Sequence, residues 1–192
     1  MILSDVSIQD AIRNDRLEID PQPSPVSGDD SRYQTTAVDL TLGDELSWLK
    51  REMPVNVDLR QGKFKQLFAT NCHSRVLRED DPYVLQPGHL VLGKTHERVH
   101  LPITNETGPW LAARVEGRSS YARCGLLVHF TAPTIHAGFN GTITLEIINH
   151  GPYPVLLHPR NPICQLIIEQ VDSRPLGRLS QFQDQSTPVG TN

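Results

Sequence analysis

The sequence predicts an all-β domain with one short helix at its start. Three observations carry this. From Ala37 onward the apolar residues fall in short runs, several of them alternating with polar ones, as half-buried strands do. The chain has 15 prolines and 13 glycines, most of them between those runs, which is the punctuation of a sandwich or a barrel. Helical spacing is confined to the start, and no internal repeat is present.

The elements follow in order. Ser4 or Asp5 can cap a helix whose apolar positions Ile8, Ala11 and Ile12 recur at three- and four-residue spacing. It stops before Leu17–Asp20, which alternates like a short strand. Residues Pro21–Arg32 are rich in Pro, Ser, Gly and Asp and read as a loop. Val38–Leu42 alternates and ends at Gly43-Asp44. Tyr83–Leu85 stops at Gln86-Pro87-Gly88, and His89–Lys94 follows as a further strand. Val99–Leu101 stops at Pro102. Leu126–Phe130, Thr142–Ile148, Val155–Leu157 and Ile163–Glu169 complete the set.

Size and composition narrow the class. At 192 residues the chain is read as one domain, 1–192, with a core of useful size. Its polar tail, 172–192, holds one aromatic, Phe182, among glutamines, and reads as a flap that orders over something. The net charge of -4 gives no support for a nucleic-acid surface. No apolar run is long enough for a membrane helix, and the opening residues lack a basic stretch followed by an apolar one, so cytoplasmic residence is the expectation. Cys72, Cys124 and Cys164 are far apart and form no C-x-x-C, so three reduced thiols are expected.

Two segments concentrate chemistry. Gly117–Arg123 packs two guanidinium groups and two hydroxyls into seven residues, a composition suited to phosphates. The ordinary alternative is a pair of surface arginines matched with Glu116 or Glu106. Ser119 and Ser120 either cap a following helix or bind phosphate, which are the same physical arrangement. Thr142–Glu146 places one carboxylate in an otherwise apolar strand. A lone ionised Glu on a buried face is costly, so Glu146 is either a solvated edge residue or held there for a purpose. Together the segments suggest a nucleotide site with a single acid–base carboxylate. Zinc is not expected. The H-x-E and P-C-x-x-C of zinc deaminases are missing, and the eight histidines form no helical i, i+4 pair and have no cysteine partner.

On these residues the chain resembles the dCTP deaminases, a branch of the dUTPase superfamily. The resemblance rests on Ile2–Asp5 with Ile8, Ile12, Leu17, Ile19 and Pro21. It continues through Val38–Gly43, Leu85–Gly88, Thr95–Val99 with Leu101-Pro102, Gly117–Gly125 and Thr144–Glu146, in matching order. It implies a distorted dUTPase-like β-barrel and a homotrimer with active sites between subunits. It also implies Mg²⁺ held chiefly by the nucleotide triphosphate rather than by protein ligands. Arg118, Ser119 and Ser120 lie where the family binds phosphates, and Ser119 and Arg123 where it supports the attacking water. Glu146 lies at the general acid–base position, on a catalytic strand with Thr144 and Leu145. The Ala132-Pro133 peptide is where the family uses a carbonyl near the base and water. Gln165 and Gln185 match nucleotide-contacting positions.

The implied activity is hydrolysis of dCTP to dUTP and ammonia, in the supply of uracil nucleotides for thymidylate. One carboxylate suffices if its pKa lies near working pH: burial raises it, and Arg123, where the family would place it, lowers it. The chain also departs from the pattern. His136 stands where relatives have Asp. In dUTPases that residue helps activate the water attacking phosphorus, and in deaminases it contacts the 3′-hydroxyl. His136 therefore argues against a bifunctional enzyme releasing dUMP and pyrophosphate more than against deamination. Phe139 occupies the aromatic position expected against the deoxyribose, and a plain core role is its alternative. Thr134 sits where some relatives carry Arg, and Pro133 fixes the local geometry and lacks an N–H, so a modified or differently phosphorylated cytosine nucleotide stays open as the substrate. In the tail, Gln181 replaces a more usual Lys, and Asp184 adds a charge that is unfavourable near a triphosphate unless it faces away or toward Mg²⁺. A non-catalytic nucleotide-binding protein on the same scaffold is the third reading.

Overall fold

The computed structural model describes residues 1–50, 58, 60, 64–103, 108–176 and 184–189. In chain order the elements are helix α1 (Asp5–Arg13), strands β1 (Glu18–Asp20), β2 (Tyr33–Gln34), β3 (Ala37–Thr41) and β4 (Glu45–Leu49), and helix α2 (Phe64–Asn71). Strands β5 (Cys72–Val76), β6 (Tyr83–Leu85), β7 (Leu90–His100) and β8 (Trp110–Gly117) precede the single turn α3 (Ser119–Ala122). The chain then forms β9 (Leu126–Val128), β10 (Thr134–Ile135), β11 (Asn140–Asn149), β12 (Val155–Leu157) and β13 (Pro162–Val171).

Two antiparallel sheets form a distorted barrel. One runs β5-β4-β7-β11-β9 with β1 also on β7; the other runs β10-β8-β13-β3-β2. Leu42 bridges to Thr95 between them, and the Gly43 N–H donates to the Lys94 carbonyl at 2.8 Å. A Cβ on Gly43 would sit 3.0 Å from Lys94 Cγ, so glycine permits this close seam. Both sheets turn their apolar faces into one core that includes Leu40, Val99, Leu111, Val115, Leu145, Ile147 and Leu166. Ser4 caps α1 by accepting from the Ser7 N–H, and Ile8 and Ala11 are buried beneath the helix.

The sequence reading broke β7 into two strands, at His89–Lys94 and Val99–Leu101, but the strand is continuous. Its inward positions include Thr95 and Glu97, which erase the apolar alternation. Both are satisfied inside. Glu97 accepts from the Thr41 N–H at 2.9 Å and from its hydroxyl at 2.8 Å, while the Thr95 hydroxyl donates to the Glu97 carbonyl at 2.7 Å. The strands β2, β4, β5, β8 and β10 were also not anticipated, nor was α2. Helical structure is thus not confined to the start; α2 has eight residues and lacks acidic residues in its first turn and basic ones in its last. Pro21–Arg32 contains no helix or strand, as expected. The three cysteines are free. Cys164 lies in the core, where burial pushes its thiol far up, and Cys124 is exposed. No helix among the described residues is long and apolar enough to cross a membrane.

Candidate active site

β11 supplies the centre of the site. Its odd-numbered residues Ile143, Leu145 and Ile147 are buried in the core, while Thr142, Thr144 and Glu146 line the opposite face. A bulge tunes this face. The partners of Thr142 and Thr144 on β7 are Arg98 and Lys94, so Thr95, His96 and Glu97 stand opposite Ile143 alone. The Ile143 N–H donates instead to the Thr95 hydroxyl at 2.9 Å.

Glu146 lies against His129, which follows β9. His129 Nδ1 is 3.0 Å from Glu146 Oε2, with side-chain exposures of 6% and 31%. The two atoms are within ion-pair distance, and the pair is charged only when the imidazole is protonated; neither atom meets hydrogen-bond geometry with a partner. The other ring nitrogen, Nε2, is 2.8 Å from the Ala132 carbonyl, and the His129 N–H donates to the Glu146 carbonyl at 2.8 Å. Burial is the largest single influence on the Glu146 carboxyl and raises its pKa, but the contact and charge of His129 together with a backbone N–H bring the net direction down. Three buried side-chain polar atoms among the described residues lack hydrogen-bond partners: His129 Nδ1, Thr144 Oγ1 and Glu146 Oε2. Two of them face each other at 3.0 Å, and Thr144 lies two residues from Glu146 on the same face of β11.

The phosphate-type segment is ordered around Asp39 on β3. Arg118 Nη1 donates to Asp39 Oδ2 at 3.0 Å, and Gln165 Nε2 on β13 donates to Asp39 Oδ1 at 3.0 Å. The guanidinium also lies 5.6 Å from the Tyr121 ring centroid. Arg118 therefore does not pair with Glu116, which faces Arg114; Glu106 lies outside the described residues. Ser119, Ser120 and Arg123 are exposed; the Arg123 N–H donates to the Ser119 carbonyl at 3.3 Å, and their side chains make no hydrogen bond or ion pair among the described residues. The capping position of α3 is Arg118, and no side chain caps the turn. Gly125 and Gly151 cross in contact behind α3: a Cβ on Gly125 would lie 2.3 Å from the Gly151 nitrogen.

The remaining expected residues are dispersed. Ala132 presents its carbonyl to His129, and the next carbonyl, of Pro133, accepts from the Val115 N–H at 2.9 Å. His136 is exposed on the turn before β11. Phe139 is 7% exposed and packs in the core, so its core role is filled. Leu145 is buried and offers a ligand only backbone. Gln185 binds Thr142, donating to its carbonyl at 2.7 Å and accepting from its hydroxyl at 3.1 Å, two residues along the same face from Thr144. Asp184 is neutralised by Arg98 at 2.8 Å. Gln181 and Phe182 lie outside the described residues.

Two residues escaped the sequence reading. In the sequence His129 is one of eight histidines without metal-ligand spacing, and nothing there gives it a role of its own. Asp39 carried the same signal as Glu146, one carboxylate in an apolar strand, and that test applied to Val38–Leu42 would have found it. The basic side chain beside Glu146 within the chain is accordingly His129, and Arg123 makes no ion pair with it among the described residues.

A sequence profile described as dCTP deaminase-like matches residues 2–171. The chain belongs to the dCTP deaminase-like family. Relatives extend the match over the whole length. A Methanothermobacter thermautotrophicus protein named dCTP deaminase, dUMP-forming, is 36% identical over 97% of this chain and 91% of its own. A Rhodospirillum rubrum protein named dCTP deaminase is 36% identical over 98% and 95%. A solved 2′-deoxycytidine 5′-triphosphate deaminase from Agrobacterium tumefaciens superposes with a TM-score of 0.61 at 19% identity. It is matched over 88% of this chain and 48% of its own, a likeness of fold.

Proposed function

We propose that this family member deaminates dCTP hydrolytically to dUTP and ammonia. The observation that carries the reading is Glu146 itself: a carboxylate on the outer face of a core strand, 3.0 Å from the buried His129 ring and two residues along that face from the Thr144 hydroxyl, which has no hydrogen-bond partner. In the reaction a water oxygen attacks C4 of cytosine. Glu146 takes the water proton and delivers it to N3, and a second transfer to the exocyclic nitrogen lets ammonia leave as the C4 carbonyl forms. Ser119 and Arg123 orient water and meet the charge that develops. Arg118, braced by Asp39, and Ser120 hold phosphate. Phe139 and His136 border the sugar, with His136 donating to or accepting from the 3′-hydroxyl. Thr144, the Leu145 backbone, Gln165, Gln181 and Gln185 complete the nucleotide contacts.

α3 projects exposed, unpartnered groups and Glu146 lacks them, which supports a homotrimer in which one subunit's α3 serves its neighbour's carboxylate. Val84 and Leu156 support assembly too: they are register partners on the β6–β12 ribbon and both are exposed. Mg²⁺ fits as an ion carried by the triphosphate. Among the described residues no group of three His, Cys, Asp or Glu side chains could hold a metal. Both oxygens of Asp39, the carboxylate bracing Arg118, are already engaged. When bound, the ion would neutralise phosphate charge. A cytoplasmic setting accords with a nucleotide substrate.

The dUMP-forming name of the M. thermautotrophicus relative favours a second reading, in which dUTP is cleaved further to dUMP and pyrophosphate. Incubation with Mg²⁺ and dCTP, with dUTP in parallel, followed by ion-exchange chromatography separates them. dUTP as sole product supports the first reading; dUMP establishes the second; unchanged dCTP overturns both.

A further inference from the structure

The proton count at His129 follows from its two neighbours. A backbone carbonyl only accepts, so the 2.8 Å contact with Ala132 requires a proton on Nε2. Nδ1 then faces Glu146 Oε2 at 3.0 Å. A neutral imidazole would set its Nδ1 lone pair against the carboxylate, which is repulsive, so the pair must contain one further proton. We propose that His129 is a positioning residue for Glu146: the Ala132 carbonyl locks its Nε2–H, the second proton resides on Nδ1, and the resulting imidazolium keeps the carboxylate ionised and aimed at substrate.

Independent features agree. The His129 backbone has φ 55°, a left-handed conformation uncommon outside glycine and asparagine, and its N–H is tied to the Glu146 carbonyl. The ring is almost wholly buried, where an unmatched charge would be costly. Among the described residues no other carboxylate competes for this proton. Glu146 is the one carboxylate within ion-pair distance of His129 among the described residues. On neighbouring elements, Arg118 is taken by Asp39, Lys94 by Glu45 and the Ser186 carbonyl, and Arg114 by Glu169 and Glu116, while Arg123 is a cation and cannot accept.

The catalytic part of this inference rests on the deaminase reading; the proton count does not. Raising pH removes the Nδ1 proton and turns attraction into repulsion, so the alkaline limb of kcat reports His129. ¹⁵N-histidine-labelled full-length protein, followed by long-range ¹H–¹⁵N spectra from about pH 5 to 9, tests the count directly, with His129→Asn providing the assignment. Two protonated ring nitrogens at neutral pH are expected, with Nδ1 deprotonating first on the alkaline side. A neutral ring at pH 7, in either tautomer, overturns the proposal. Asparagine accepts a positive φ and offers Glu146 a pH-independent N–H, so His129→Asn is expected to lower kcat by roughly tenfold, leave KM for dCTP nearly unchanged and flatten the alkaline limb. An unchanged kcat and limb overturns the positioning role. An inactive wild type whose His129 is doubly protonated would sink the deaminase reading and leave the proton pair standing; an active wild type with a neutral ring would do the reverse.

Discussion

Asp39 holds Arg118 at 3.0 Å with one carboxylate oxygen and Gln165 at 3.0 Å with the other, from a strand that is buried along its whole length. One acid thus sets the aim of a cation and an amide from two other elements. Asp39→Asn keeps an acceptor for only one of them. Because the half-buried guanidinium can turn toward water, the loss should fall on binding: KM for dCTP is expected to rise by about tenfold, roughly 1.4 kcal/mol, with a smaller change in kcat. Steady-state kinetics on the folded variant checks this, and an unchanged KM would show that Arg118 needs no brace.

Glu146→Gln removes the base while preserving shape. Turnover is expected to fall by at least about a hundredfold, with the assembly state and melting temperature close to wild type. Ammonia release and thermal unfolding measure the two arms; retained turnover would assign the chemistry elsewhere.

Acid should weaken the fold through the same residue. The Glu146 carboxyl lies below its ordinary value when folded. Its contribution is therefore fully present above the unfolded value, about 4.3 for glutamate, and is lost as pH falls through the lower, folded value. His129→Asn removes the cation, so the midpoint difference between variant and wild type in urea unfolding should shrink on going from neutral pH to below pH ~4.

Gly125 and Gly151 leave no room for a side chain where they cross. The positive φ of 85° and the 2.3 Å approach of a Cβ to the Gly151 nitrogen make Gly125→Ala both strained and overpacked. A cost of about 3 kcal/mol or more is expected, visible as a lowered unfolding midpoint, along with displacement of α3 and a loss of dCTP affinity.

Residue 136 tests the product. His136 is exposed beside β11, so His136→Asp should fold as wild type. If an anionic base at this place is what pyrophosphate release needs, the variant should raise the ratio of dUMP to dUTP by several-fold, roughly 1 kcal/mol. Chromatography of products reads it, and an unchanged ratio would show that this position does not select the reaction.

Much of this was legible in the chain itself, because it depends on local pattern. The alternation of Thr142–Ile148, the glycine and proline punctuation and the Ser4 cap with Ile8 and Ala11 each act over a few residues. So the all-β class, the first helix and the prominence of Glu146 follow directly. Strand β7 was harder to see, since Thr95 and Glu97 point inward and are made tolerable by Thr41 and Ile143, residues 56 and 48 positions away from Glu97 and Thr95. The pairing partners of the site were beyond local pattern for the same reason. Asp39 meets Gln165 across 126 residues and Arg118 across 79. His129 became distinct from seven other histidines only when β9 and β11 paired and its left-handed backbone turned Nδ1 onto Glu146. Composition and periodicity say which face of a strand is wet; which charge stands opposite another depends on strand register and chain crossings, and these are settled by packing the whole core at once.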